Sequence, residues 1–173
     1  MIRRWNRWAG ALLLAAGVYA GTTSATAQTT AQEGTLLTPA QTQKLLPPAV
    51  YFKGQSATTQ IRNSGGVKFA DGAYLLAVMV DTSGYSSEVA QKYQAYLITE
   101  DAIEVGGKAL PAGIYGVGFV GGQFLVLDVG ARTLLSVPSA SDETMKRPRP
   151  LEILRSDNGY RLYEGRQYVT IER

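Results

Sequence analysis

The chain is predicted to be an all-β domain, an antiparallel sandwich or small barrel of about nine or ten strands preceded by one short helix. Three observations predict this. From Ala49 onward, short apolar runs alternate with Gly-, Asn- and Asp-rich punctuation. Two-residue turn signals, Asp71-Gly72, Gly121-Gly122 and Asn158-Gly159, separate several of these runs. Alternation of period two recurs, as in Ala57, Thr59, Ile61, where a helix would show a period of 3.6.

The first 27 residues do not belong to that domain. Arg3, Arg4 and Arg7 form a basic head, Trp8 to Ala20 an apolar stretch, and Ala25-Thr26-Ala27 a small-x-small cleavage site. This is the layout of a secretory signal peptide of the Sec type, cleaved after Ala27, with an earlier alternative at Val18-Tyr19-Ala20. It predicts a periplasmic or secreted protein. The apolar stretch falls short of the ~20 residues that span a bilayer, and no later run approaches that length, so no membrane span is expected after cleavage. The chain carries 17 Lys+Arg against 14 Asp+Glu, and the whole excess of +3 is Arg3, Arg4 and Arg7. Residues 28–173 are therefore neutral and have no global field to draw them onto nucleic acid or anionic lipid. Cysteine is absent, so stability must come from burial and hydrogen bonding without disulfides.

Residues 28–37 read as a disordered leader and residues 38–173 as the single β-rich domain. Thr38-Pro39-Ala40-Gln41 is a helix start, with an N-cap Thr, Pro at the first helical position and Gln three residues on; Pro47-Pro48 ends it. Strands are expected over 49–53 and 56–63, with Ser64-Gly65-Gly66 as punctuation, then over 73–81 after Asp71-Gly72. The stretch 86–99 reads either as a helix face (Val89, Tyr93, Leu97) or as a strand, and a turn followed by a strand over 91–99 is the expectation. Ile114 to Val129 is the clearest hairpin. A turn at Gly121-Gly122 pairs Phe119 with Phe124, Val117 with Val126 and Tyr115 with Asp128. Both faces are mostly apolar, which predicts a central hairpin covered on both sides, and Gly116 and Gly118 invite close approach of another layer. A strand over 132–137, a long loop over 138–149 and a meander from Pro150 follow. Charged residues number 13 in 142–173 against 15 in all of 28–141, so the meander is expected at an exposed edge.

The stretch Ile103 to Tyr115, with its G-G-K-x-L-P-A-G-x-Y pattern, resembles a turn-and-strand motif of secreted bacterial β-sandwich families of unknown function. The resemblance implies a bacterial, β-rich, exported protein and transfers no functional residue. Phe69 to Tyr74 echoes Leu110 to Tyr115 at an offset of 41, as two similar turn-to-strand passages would.

With no His or Cys, residues 28–173 cannot build a Ser-His-Asp triad, a Cys-His dyad or a His-based zinc site. Phosphate-cradling glycine motifs are absent, and Gly116-Val117-Gly118 lies within a strand. No cofactor is expected. Glu100, Asp101 and Glu104 offer the carboxylates a glycosidase needs ~5–9.5 Å apart, or else a solvated hairpin end. Asp128, set opposite Tyr115, is either an interior ligand contact or a strand-end residue capped by Tyr115 or Lys108. Asp81-Thr82-Ser83 and Ser141-Asp142-Glu143 read as turn chemistry. Tyr160, Tyr163 and Tyr168, interleaved with Arg161 and Arg166, form either a recognition face or ordinary sheet packing. Lys146-Arg147-Pro148-Arg149-Pro150 is a basic extended patch. The expectation is an exported, non-catalytic module that binds an unknown protein partner or small-molecule ligand, or has a structural role in the envelope. A carboxylate-dependent hydrolase of glycan or cell wall is the alternative.

Overall fold

The computed structural model describes residues 34–173; the signal segment expected over 1–27 and the leader up to residue 33 lie outside them. The described chain is a two-sheet antiparallel sandwich with no closed barrel. In chain order it runs β1 (Thr35–Leu36), α1 (Pro39–Thr42), β2 (Ala49–Phe52), β3 (Gln55–Lys68), β4 (Tyr74–Val80), α2 (Ser87–Lys92) and β5 (Ala95–Thr99). Then follow β6 (Ile103–Val105), β7 (Lys108–Leu110), β8 (Gly113–Val120), β9 (Gln123–Leu127), β10 (Thr133–Pro138) and β11 (Ala140–Ser141). The chain closes with β12 (Arg149–Ser156), β13 (Gly159–Gly165) and β14 (Gln167–Glu172). The first sheet has the order β1-β3-β4-β5-β8-β9-β10, with β2 paired to β3; the second is β12-β13-β14-β6-β7, with β11 paired to β14.

The first sheet is apolar on both faces because both are covered. Leu75, Ala77, Leu97, Val117, Phe124 and Val126 point inward and meet Ile103, Val105, Ile153, Leu162, Val169 and Ile171 of the second sheet. The alternate residues Leu76, Val78, Tyr96 and Leu127 point outward, where Leu46, Val50, Phe52 and Tyr93 of the β2 ribbon and the helical segments lie over them. This double coverage explains why β4 reads as a continuous apolar run and lacks an amphipathic alternation.

The sandwich also corrects the expectation for the C-terminal meander. It supplies three strands of the second core layer, beside β6 and β7. Leu151, Ile153, Tyr160, Leu162, Val169 and Ile171 are all buried. Its charges, such as Glu152, Arg161 and Glu172, occupy the alternate positions of the same strands, so charge density marked the outer face of a sheet and not an exposed edge. Ser64-Gly65-Gly66 is likewise no turn. It lies within β3, and a Cβ on Gly65 would stand 2.8 Å from the backbone nitrogen of Ile153 in the opposite sheet. Glycine is needed there for sheet-to-sheet approach.

Three local differences have simple causes. Residues 35–36, expected within the leader, pair as β1 with Lys68 and Val67; the Gly34 amide donates to the Tyr160 hydroxyl at 2.8 Å. Residues 86–99 contain both readings in succession. Ser86 caps α2, and the helix ends at Tyr93, which is completely buried beneath the β2 ribbon before β5 begins. Between Gln60 and Ser64 the register of β3 against β4 slips, and Ile61-Arg62-Asn63 bulges out. The Ser64 hydroxyl donates to the Ile61 carbonyl at 2.6 Å and lies 2.7 Å from the Thr42 hydroxyl, pinning α1 to the bulge. At the start of α1, Gln41 Oε1 accepts from both the amide and the hydroxyl of Thr38.

The hairpin β8–β9 has the register expected of it. Phe119 faces Phe124 and Val117 faces Val126 across Gly121-Gly122. The two turn glycines have φ of 58° and 77°, the left-handed pair that a type I′ turn requires.

Candidate functional site

Exposed apolar side chains gather where the β2 ribbon meets the β8–β9 hairpin: Tyr51 on β2, Ile114 on β8 and Val129 just past β9. On the outer face of the hairpin the alternate residues of β8 are Ile114, Gly116 and Gly118. Gly116 faces Tyr96 across β5 and Leu127 across β9. The β2–β3 ribbon folds over this row, held where the Lys53 amide donates to the Val129 carbonyl at 2.8 Å. Phe52 then lies on Gly116 and stacks on Tyr93 with ring centroids 3.7 Å apart. Because neighbouring side chains of a strand point oppositely, Phe52 is fully buried and Tyr51 is turned to solvent.

The ribbon covers one end of the row and leaves the other open. The result is a cup of about 350 Å³ lined by Tyr51, Phe52, Tyr96, Ile114, Gly116 and Val129. Its rim is apolar and in water: Tyr51 is 61 % exposed, Val129 54 % and Ile114 53 %. No charged residue lines it. Burial raises the hydroxyl pKa of Tyr96 above the usual phenol value, and does so more strongly for Tyr93, so both remain neutral donors at ordinary pH. The Tyr93 hydroxyl is buried without a hydrogen-bond partner.

The residues singled out by sequence occupy other places. Tyr115 points inward, and its hydroxyl donates to the Pro111 carbonyl at 2.9 Å. Asp128 lies one residue past β9 and closes the turn to β10. It accepts from the amides of Gly130 and Arg132, both at 2.9 Å, and pairs with the Arg132 guanidinium at 2.7 Å. These bonds, led by the Arg132 amide, hold its carboxyl below the usual carboxylate range. Its cap is therefore Arg132, not Tyr115 or Lys108; Lys108 donates to the Ser136 carbonyl.

Tyr160 is buried against Phe69 on the inner face. Arg161, Tyr163 and Tyr168 share the outer face of the second sheet, Arg161 lying over the Tyr168 ring at 4.5 Å and Tyr163 packing on Tyr168 at 5.1 Å. Tyr163 is itself buried, its hydroxyl donating to Asp142 at 3.3 Å. Arg166 is exposed at the β13–β14 turn, apart from that stack. Tyr163 and Tyr168 thus pack on each other within the meander, while Tyr160 belongs to the core between the sheets.

The carboxylates are dispersed. Glu100 accepts the Tyr74 amide at 2.9 Å, Asp101 pairs with Arg173 at the corner between the two sheets, and Glu104 lies on the second sheet beside Glu172. Asp81 and Asp142 accept amides two residues ahead, as turn residues do. Among the described residues no group of three or more acidic side chains is placed to hold a metal ion. Tyr51, Tyr96 and Val129 carried no sequence signal of a shared site, because the fold-over of the β2 ribbon that gathers them has no local signature.

Comparison of the chain with models of protein families, with curated proteins and with solved structures finds no match.

Proposed function

We propose that this protein is an exported, non-catalytic β-sandwich module that binds an apolar group of a partner or ligand in the cup between β2 and the β8–β9 hairpin. One observation carries the reading. Three of the six exposed large apolar side chains among the described residues, Tyr51, Ile114 and Val129, converge on one depression. Scattered exposed apolar residues are ordinary, whereas a clustered apolar rim around a concave aromatic floor is the form of a binding site. Rigid aromatic walls lose little conformational entropy when a ligand docks, and Tyr51 adds a polar edge that specifies orientation. The signal peptide layout of residues 1–27 supports function outside the cytoplasm.

The test is native mass spectrometry of residues 28–173, purified without denaturation from the envelope fraction of the source cell. The wild type is expected to carry a reproducible additional mass. Ile114→Asp/Val129→Asp, which alters only side chains already in solvent, is expected to lose it while keeping its circular dichroism spectrum. Identical spectra from the two proteins would count against the cup.

A further inference from the structure

The strand that walls the cup has one edge without a partner. β2 pairs only with β3, and along such a ladder main-chain groups alternate between bonding across it and facing away. Pro48 sets the parity, because its carbonyl accepts the Thr59 amide at 2.9 Å. The main-chain groups of Val50 and Phe52 therefore face β3, and those of Ala49 and Tyr51 face the opposite side. The Lys53 amide also turns from β3 and donates to the Val129 carbonyl. Among the described residues neither Ala49 nor Tyr51 has a backbone partner on that side, and both are exposed. The cup opens there, since β3 contributes nothing to its lining.

The edge strand β10 is different, because it is guarded. Lys108 Nζ donates to the Ser136 carbonyl at 3.1 Å, and Pro138 has no amide to offer. Over Ala49–Phe52 the β2 edge carries neither a charge nor a proline.

We propose, resting on the cup as the binding site, that β2 accepts an extended segment of a partner polypeptide as an added strand, one apolar side chain of which fills the cup. Main-chain groups of the segment bond those of Ala49 and Tyr51, which otherwise face water. A residue set beside Phe52 on the added strand points as Phe52 does, toward the floor at Gly116. Its neighbours point outward beside Tyr51. No charged residue lines the cup, so the inserted side chain is an uncharged, apolar one. A lipid chain or small apolar molecule would fill the cup and leave the main-chain groups of Ala49 and Tyr51 unused.

The test selects a phage-displayed library of random linear peptides on the purified protein. Selected peptides are expected to bind the wild type and to lose binding to Ile114→Asp/Val129→Asp. Ala49→Pro removes one outward amide, leaves every side chain of the cup in place, and is tolerated at an edge that faces away from β3. It is expected to weaken binding roughly tenfold, the worth of one main-chain hydrogen bond. With peptide at about ten times its Kd, the Ala49 and Tyr51 amides of the wild type are expected to exchange hydrogen about tenfold more slowly. Binding that survives in Ile114→Asp/Val129→Asp would overturn the cup and the added strand together. Binding lost in that variant, with exchange at Ala49 and Tyr51 unchanged, would keep the cup and overturn strand addition. A library that yields no binder would also overturn strand addition, and native mass spectrometry would then decide the cup alone.

Discussion

Gly118→Ala is expected to destabilise the protein by about 3 kcal/mol, the upper range for forcing a methyl group into a filled site. A Cβ at this position would stand 2.4 Å from the carbonyl oxygen of Lys92, a backbone atom at the end of α2. The clash cannot be relieved by rotating a side chain. Either β8 leaves the sheet or α2 shifts, and α2 is held by the Gln94 amide on the Val117 carbonyl and by the Phe119 amide on Gln94 Oε1 at 2.6 Å. Gly116→Ala is expected to cost less, about 1–3 kcal/mol, because the obstructing atom, 2.5 Å away, belongs to the Phe52 ring. Displacing that ring would also deform the floor of the cup. Gly84→Ala is the control, since its Cβ would meet only Gln55 Oε1 at an ordinary 3.5 Å. Chemical denaturation of the three variants checks the ranking, and a Gly118→Ala protein as stable as Gly84→Ala would contradict the close packing of α2 on β8.

Glu164→Gln is expected to stabilise the protein at pH 8 and to leave it unchanged near pH 4. Glu164 follows Leu162 on the core side of β13, and no cation pairs with it among the described residues. Burial pushes its carboxyl up from 4.5 to about 7. The folded state therefore holds this proton over a pH range in which the unfolded chain has released it. Stability is undiminished below about pH 4.5, falls as pH rises toward 7, and carries the whole penalty above 7. Allowing for the partial access of water, the penalty is about 1–3 kcal/mol. Glutamine removes it at high pH only. Denaturation midpoints of both proteins at pH 4, 6 and 8 check this (conditions spanning the shift, roughly two units apart). A pH-independent difference between them would contradict the half-buried, unpaired setting of Glu164.

The sequence made the local pairings legible. Gly121-Gly122 between apolar runs announced the β8–β9 register, and Asp71-Gly72 announced the β3–β4 turn, where Gly72 has a φ of 97° and Asp71 Oδ1 accepts the Ala73 amide. Gly116 and Gly118 announced close approach of another layer, and Phe52, Tyr93 and the end of α2 supply it. What stayed hidden depended on non-local placement. Gly65 looked like a turn residue because a turn and a sheet-to-sheet contact call for the same missing side chain. The meander looked exposed because its charges alternate with core residues that were fewer but decisive. Of the candidate site, the hairpin was visible and the cup was not. Tyr51 and Val129 are distant in sequence and meet only because Lys53 donates to Val129 across the fold. Tyr160 and Tyr163 suggested a recognition face, but the Gly34 amide and Asp142 already engage their hydroxyls.

Photo-crosslinking in the source cell tests the cup most directly. A benzophenone amino acid at Ile114, on the rim, is compared with the same residue at Leu154, an exposed apolar position on the outer face of the second sheet. A discrete adduct from Ile114 that is absent from Leu154, and that disappears when Val129→Asp is added, is the predicted result. No adduct from Ile114, or the same adducts from both positions, would contradict binding through the cup.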